Sequence, residues 1–368
     1  MKKRNLIMVN YRIFLGVAFL LSLWFIVDPA RRVQAIQLQG QELAPLEIGK
    51  PLERALAGGQ SHPYQLSIAA GQYLHIIVEQ RGIDIVLMLF GPDGKKMIEV
   101  DSPNGTQGPE SLTWITESSG NHRLEIRSND NPAKVGLYEV KLVELRAATE
   151  GDRASIEALR LVNESANLQG KGKFAEALPL TERALTLREQ TLGPNHPEVA
   201  QLLNDMAGLY YYLGDYAKAE PCFQRALEIR EKALGPNHLD VAESLNDFAF
   251  LYGARGDYAK AEPLYQRALA IRAQSLGPNH PNVAISLNNL AIMYKDKGDY
   301  AKAESYYKRA LAINEKTLDS NHPEIGTLLN NLASLYKDKG DYEQSELLSQ
   351  RALAIWRKAP VKKPASSR

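Results

Sequence analysis

The sequence holds one cysteine, Cys222, in 368 residues, so no intrachain disulfide is possible and stability must come from packing. An excess of either charge is also missing. Lys and Arg total 44 against 43 Asp and Glu, a net charge of +1, which argues against a nucleic-acid partner. There is no Gly-rich phosphate loop, no Gly-x-Ser-x-Gly elbow and no His-Glu-x-x-His, so the motifs that mark nucleotide, acyl-transfer and zinc-peptidase chemistry are lacking. No cofactor, metal or small-molecule substrate is called for, and the chain reads as non-catalytic. Long apolar runs are confined to one place, Ile13–Val27, behind a basic head of Lys2, Lys3 and Arg4.

What the chain has instead is repetition. Leu192-Gly-Pro-Asn-His-Pro197 returns as Leu234-Gly-Pro-Asn-His-Leu239, as Leu276-Gly-Pro-Asn-His-Pro281 and, weakened, as Leu318-Asp-Ser-Asn-His-Pro323, each 42 residues after the last. Phe174-Ala-Glu-Ala, Tyr216-Ala-Lys-Ala, Tyr258-Ala-Lys-Ala, Tyr300-Ala-Lys-Ala and Tyr342-Glu-Gln-Ser keep the same step. A fixed period of this length predicts a stacked array. Within one unit, Ala284, Leu287, Leu290, Ala291 and Tyr294 fall at helical spacing, Gly298-Asp299 breaks the pattern, and Tyr300, Ala303, Tyr307, Ala310 and Ile313 resume it. The unit is helix, tight turn, helix. One pair cannot bury its apolar stripe alone, but stacked copies can. Five pairs are legible, over about 152–190, 197–233, 239–275, 281–317 and 323–358, the first being the least regular, as a terminal cap would be.

The pattern Leu290-Ala291-x-x-Tyr294-x-x-x-Gly298-Asp299-Tyr300-x-x-Ala303-x-x-x-Tyr307-x-x-Ala310-Leu311 resembles the tetratricopeptide repeat position by position. The 42-residue length and the Gly-Pro-Asn-His-Pro loop make it similar to the kinesin-light-chain type of that repeat. The resemblance implies an all-α superhelical solenoid whose first helices line a concave groove for a protein or peptide partner. His196, His238, His280 and His322 stand one repeat apart, too far to share a metal, and Asn-His-Pro-Glu reads as a helix start. Cys222 falls where other copies carry Leu264 and Tyr306, a packed small apolar position.

On the first helices, the stripe turned away from the core reads Gln201, Asn204, Gly208, Tyr211; Glu243, Asn246, Phe250, Gly253; Ile285, Asn288, Ile292, Lys295; and Thr327, Asn330, Ser334, Lys337. Asn204, Asn246, Asn288 and Asn330 share one position. An amide both donates and accepts, so this column either contacts an extended peptide, as the resembled family's groove does, or bonds to the neighbouring helix and orders the stack. Tyr211 and Phe250 supply apolar surface, Lys295 and Lys337 positive charge at one end, and Glu243 and Asp247 an acidic middle. The candidate partner-binding residues are Asn204, Asn246, Asn288, Asn330, Tyr211, Phe250, Lys295 and Lys337.

Before the repeats the period changes. Tyr64–Ile68 and Tyr73–Val78 alternate, Asp84–Phe90 is a continuous apolar strand, and Lys96–Val100, Leu112–Thr116, His122–Ile126 and Gly136–Leu142 follow between turn residues. An antiparallel β-sandwich over about 36–147 is expected. Tyr64-Gln-Leu, Ala70-Gly-Gln-Tyr73, Leu89-Phe-Gly-Pro-Asp-Gly94 and Gly120–Ile126 resemble the bacterial pre-peptidase C-terminal domain, which implies a non-catalytic accessory module of secreted proteins. Some such domains bind calcium, for which Asp84, Asp93 and Asp101 are the residues at hand, although Asp93 lies in a Pro-Asp-Gly turn. Residues 1–35 read as a secretory signal, with Val33-Gln-Ala35 before a cleavage point, or as an uncleaved anchor. Either places the bulk outside the cytoplasmic membrane, with the membrane touched only through the N-terminal segment. The tail 359–368 has a disordered composition. The expected function is a protein-interaction scaffold. The alternative is the recognition subunit of an envelope peptidase system whose caspase-like catalytic domain is not in this chain.

Overall fold

The computed structural model describes residues 46–102 and 105–358. The expected targeting segment 1–35, the first residues of the β segment and the tail 359–368 lie outside the described residues. The chain divides into two compact units between Ile156 and Glu157.

The first unit is an antiparallel sandwich of eight strands: β1 (Pro51–Ala57), β2 (Ser61–Ile68), β3 (Gln72–Arg81), β4 (Ile85–Phe90), β5 (Lys96–Val100), β6 (Gln107–Ile115), β7 (Gly120–Ser128) and β8 (Val135–Ala147). One sheet has the order β1-β8-β3-β6 and the other β2-β7-β4-β5, all neighbours antiparallel. Alternation does what it should: Tyr64, Leu66 and Ile68 of β2 and Leu74, Ile76 and Val78 of β3 point inward. β4 is an interior strand buried from Ile85 to Leu89, as its unbroken apolar run requires. In the core the Tyr64 and Tyr138 hydroxyls bond at 2.5 Å, and Tyr138 also meets His62 Nδ1 at 2.7 Å. Strand β1 was not among the expected strands. Its Leu56 is buried, but the burial of the strand does not alternate cleanly, so its sequence carries little period-2 signal.

Ten helices follow among the described residues. They are α1 (Glu150–Gly170), α2 (Phe174–Leu192), α3 (Pro197–Tyr212), α4 (Tyr216–Leu234), α5 (Leu239–Ala254), α6 (Tyr258–Leu276), α7 (Pro281–Asp296), α8 (Tyr300–Thr317), α9 (Pro323–Asp338) and α10 (Tyr342–Lys358). They form the five expected pairs. The start of α1 is a reciprocal cap: Thr149 N donates to Asp152 Oδ2 at 2.8 Å and Asp152 N to Thr149 Oγ1 at 3.1 Å.

The loop histidines prove to be helix caps. His196, His238, His280 and His322 each occupy the N-cap, and Nδ1 accepts from the backbone N–H two residues on, at 3.1–3.3 Å. This supplies an acceptor to donors that would otherwise be orphaned. The second helices start on Asp215, Asp257 and Asp299, which accept from the N–H three residues ahead. Between the two helices the chain reverses through glycine, and Gly298 at φ +84° takes a conformation a side chain would strain.

Leu287, Leu290, Ala291, Tyr294, Ala303, Tyr307 and Ala310 all lie in the core of the stack. Alanines let helices approach while tyrosines fill the gaps. Cys222 packs, half-buried, against that core, and burial raises its thiol pKa. Neighbouring repeats are also tied by a recurring strut, in which a first-helix tyrosine donates to a glutamate on the preceding second helix. Tyr210 reaches Glu182 at 3.0 Å, Tyr252 reaches Glu220 at 2.8 Å, Tyr294 reaches Glu262 at 2.6 Å and Tyr336 reaches Glu304 at 2.8 Å. In the last three a cation holds the other carboxylate oxygen: Arg255, Lys297 and Lys339.

Candidate partner-binding groove

The first helices α3, α5, α7 and α9 bring the stripe residues into columns, because a 42-residue step returns each position to the same face. Gln201, Glu243, Ile285 and Thr327 are exposed along one column. Phe250 is 50% exposed and Ile292 36% in the next, with Gly208 at the same position of α3 leaving open space. Apolar surface thus runs along the array from α3 to α7.

At the α3 end this surface is aromatic. Tyr211 meets Phe250 at 5.0 Å between ring centroids and Tyr216 at 5.7 Å. Tyr212, 63% exposed, stacks on Phe174 at 4.4 Å. Sequence reasoning picked out Tyr211 and Phe250 but missed Tyr212, Tyr216 and Phe174. The signal was the run Tyr210-Tyr211-Tyr212 where later copies read Tyr294-Lys295-Asp296 and Tyr336-Lys337-Asp338.

The asparagine column is engaged between repeats. Asn289 Nδ2 donates to Asn246 Oδ1 at 2.7 Å, and Asn331 Nδ2 donates to Asn288 Oδ1 at 2.9 Å. Asn204 is buried, its Nδ2 donating to Ser244 Oγ at 3.2 Å. Its Oδ1 is buried with no partner among the described residues. The same 43-residue step from Asn204 arrives at Asp247, a carboxylate where the later repeats have an amide donor. Asn330 is exposed. Of the two lysines, Lys295 is half-buried and bonds to Ser334 Oγ and Asp338 Oδ2, both at 3.3 Å, so it bridges α7 and α9. Lys337 is exposed.

Electrostatically the middle of the array is where burial and charge collide. Burial pushes the Asp247 carboxyl up to about 6; Glu243 adds to this, while the Asn246 hydrogen bond and the cations Arg230 and Arg272 pull it back. Burial likewise raises Asp205 and lowers Arg272. Asp93 of the β unit accepts from Lys95 N within its turn at 3.0 Å.

One further column went unnoticed in the sequence. Position fifteen of the second helices reads Arg188, Arg230, Arg272, Asn314, Trp356. Arg230, 3% exposed, reaches up from α4 between α3 and α5, donating to Gln201 Oε1, to Ser244 Oγ at 2.9 Å and to the Asp240 carbonyl at 2.9 Å. Arg272 holds the equivalent position on α6 and meets Ser286 Oγ of α7 at 2.8 Å. Asn314 is too short to follow. Between α7 and α9 it leaves a cleft of about 160 Å³, lined by Ile285, Asn288, Thr327, Leu328 and Glu324. Asn314 donates to Glu324 Oε2 at 3.4 Å, while its own Oδ1 is buried without a partner among the described residues. An orphan of this kind costs about 1–3 kcal/mol. Trp356 closes the series by lying over Gly326 and donating to the Pro323 carbonyl at 3.3 Å.

This is a tetratricopeptide-repeat protein. The family profile matches residues 157–232, 198–274, 240–316 and 286–358, together more than half of the chain. Such repeats are protein-interaction scaffolds, and the array is one. Among solved structures, the chain is similar to the nearly identical TPR-like repeats of a kinesin light chain from Podosopora anserina, at 27% identity over 55% of this chain and 96% of that one, with a TM-score of 0.48. It is also similar to BtubC (BKLC) from P. vanneervenii, at 25% identity over 60% of this chain and 96% of that one, with a TM-score of 0.47. No curated protein sequence matches the chain.

Proposed function

We propose that the first-helix face of the array is a groove that holds an extended peptide or a helix of a partner protein. The observation that carries this reading is the line of uncovered apolar side chains on that face: Tyr212, Phe250, Ile285 and Ile292. Stacked repeats curve so that their first helices form a concave surface, and contiguous apolar surface there marks an interaction site. Aromatic anchors such as Phe250 and Tyr212 are the residue types that dominate binding energies. Asn246 and Asn288 would then serve twice, their carbonyls engaged between repeats and their amide hydrogens turned to a peptide backbone.

We read the sandwich as an accessory module, on its resemblance to pre-peptidase C-terminal domains, and the protein as one that works outside the cytoplasmic membrane, a reading supported by the basic head and apolar run of residues 2–27. The test is capture from envelope extract with the full chain, beside a Phe250→Ala/Ile292→Ser variant. Neither side chain makes an inter-repeat hydrogen bond and the lost Phe250–Tyr211 ring contact should cost about 1 kcal/mol, so the variant should stay folded and lose the captured protein. Capture undiminished by the variant would remove the groove from the reading.

A further inference from the structure

Resting on that groove reading, the geometry points to the cleft over Asn314 as a socket for an arginine side chain of the bound partner. The argument starts from the two preceding junctions. There the chain's own guanidinium stands at this position: Arg230, buried between α3 and α5, and Arg272 of α6, half-buried against Ser286 of α7. The four groups that Arg230 meets are Gln201, Asp240, Glu243 and Ser244. Their counterparts at the next-but-one junction are Ile285, Glu324, Thr327 and Leu328, and these four line the cleft. The cleft is therefore the place of the missing guanidinium.

Its chemistry suits a cation on an apolar stem. Ile285, Leu328 and the Thr327 methyl form walls for methylenes, as long basic side chains require. At the polar end stand the Oδ1 of Asn314, a residue 2% exposed, with no donor among the described residues, and the Glu324 carboxylate, which already accepts from Asn314 Nδ2. A guanidinium carries five N–H donors in a rigid fork and can serve both acceptors at once, which a lysine ammonium does less well and a leucine cannot do. The volume of about 160 Å³ corresponds to roughly five waters, room for a whole side chain. Among the lining residues Ile285 and Thr327 are exposed and Asn288 is half-buried, and all three belong to the groove-facing stripe, so a residue carried by a partner in the groove can reach the cleft from that face.

The test uses the full chain and three pentapeptide amides, acetylated, with Arg, Lys or Leu between flanking alanines, titrated by NMR on the Asn side-chain amide signals. The Arg peptide should bind at least about tenfold more tightly than the Leu peptide, as hydrogen bonds to a charged group imply, and should shift the Asn314 amide pair. Asn314→Leu keeps the bulk and removes the acceptor, and it should abolish the Arg preference. Asn314→Arg plugs the socket as Arg230 and Arg272 do, and it should block all three peptides. The proposal is overturned if Leu binds as well as Arg, if Arg is still preferred in Asn314→Leu, or if no peptide binds at 10 mM (a ceiling set by about the weakest millimolar affinities). If the captured protein of the groove test binds Asn314→Arg unchanged, the socket fails while the scaffold reading stands. An Arg-peptide shift at Asn314 with no protein captured leaves the socket and removes the partner groove.

Discussion

Asn289 donates its side-chain amide to the carbonyl of Asn246 at 2.7 Å, and the bond joins the first helices of two successive repeats. The same relation recurs at Asn331 and Asn288. An amide ladder on the face that should meet a partner is thus also a fastening of the array.

Removing it therefore has a structural cost. Asn246→Ala with Asn288→Ala leaves the Asn289 and Asn331 donors without their carbonyls. Each loss is expected to cost about 1 kcal/mol, read as a lower urea midpoint with an unchanged slope.

At Asn204 the ladder is broken, because the residue one step on is Asp247. Asp247→Asn supplies the donor that the buried Asn204 Oδ1 lacks and removes a carboxyl raised by burial. The variant is expected to be more stable at pH 7 by about 1–3 kcal/mol, measured by chemical denaturation.

The same carboxyl sets a pH dependence. Its pKa is about 6 in the folded chain against the ordinary 3.8. Between these values the folded state keeps a proton that the unfolded chain releases, so stability falls as pH rises through the window. The loss is about 3 kcal/mol between roughly pH 4 and pH 6. Arg230, Arg272, Glu243 and Asn246 all bear on this group, so the control is Asp247→Asn, in which this component of the slope should vanish. A wild-type pH slope parallel to the variant's across the window would show that Asp247 titrates normally.

The tyrosine struts can be weighed singly. Tyr294→Phe deletes only the hydroxyl that donates to Glu262 at 2.6 Å, and Lys297 remains on that carboxylate. A cost of about 1–2 kcal/mol is expected, with faster hydrogen exchange in α6 and α7 than in α3 and α4.

Gly326 marks the seat of the last helix. A methyl there would stand 2.6 Å from Trp356 Nε1. Gly326→Ala should displace α10 and cost about 1–3 kcal/mol, seen as a blue- or red-shifted Trp356 emission and early loss of the C-terminal pair. An unshifted emission and an unchanged midpoint would mean the tryptophan is not seated on Gly326.

Much of this architecture was legible because a period is a strong signal. Equivalence at 42 residues placed Leu287, Leu290, Tyr294 and Tyr307 in the core and put His196, His238, His280 and His322 at helix starts. Contacts between repeats were harder, since they follow a different step. Asn246 and Asn289 are 43 apart and Tyr294 and Glu262 are 32 apart, and nothing in a column of identical residues tells whether its polar atoms face a neighbour or solvent. Lys295 looked like free groove charge, yet its long stem lets it reach Asp338 on the next helix. The cleft at Asn314 was hidden for the opposite reason: it is an exception to a column, visible only once Arg230 and Arg272 are seen filling the equivalent space. Strand β1 escaped because its edge position demands no clean alternation.

The constancy of the junctions makes the array a modular gauge. Excising residues 239–280 would remove one full unit and rejoin surfaces that already match: Tyr294 would meet Glu220 in place of Glu262, and Arg230 would find Ser286 in place of Ser244. Asn204 would face Asn289, the donor it has lacked. Shortening the chain by one module would thus mend the single mismatched rung, and the length of partner the protein can span would change in whole-repeat steps.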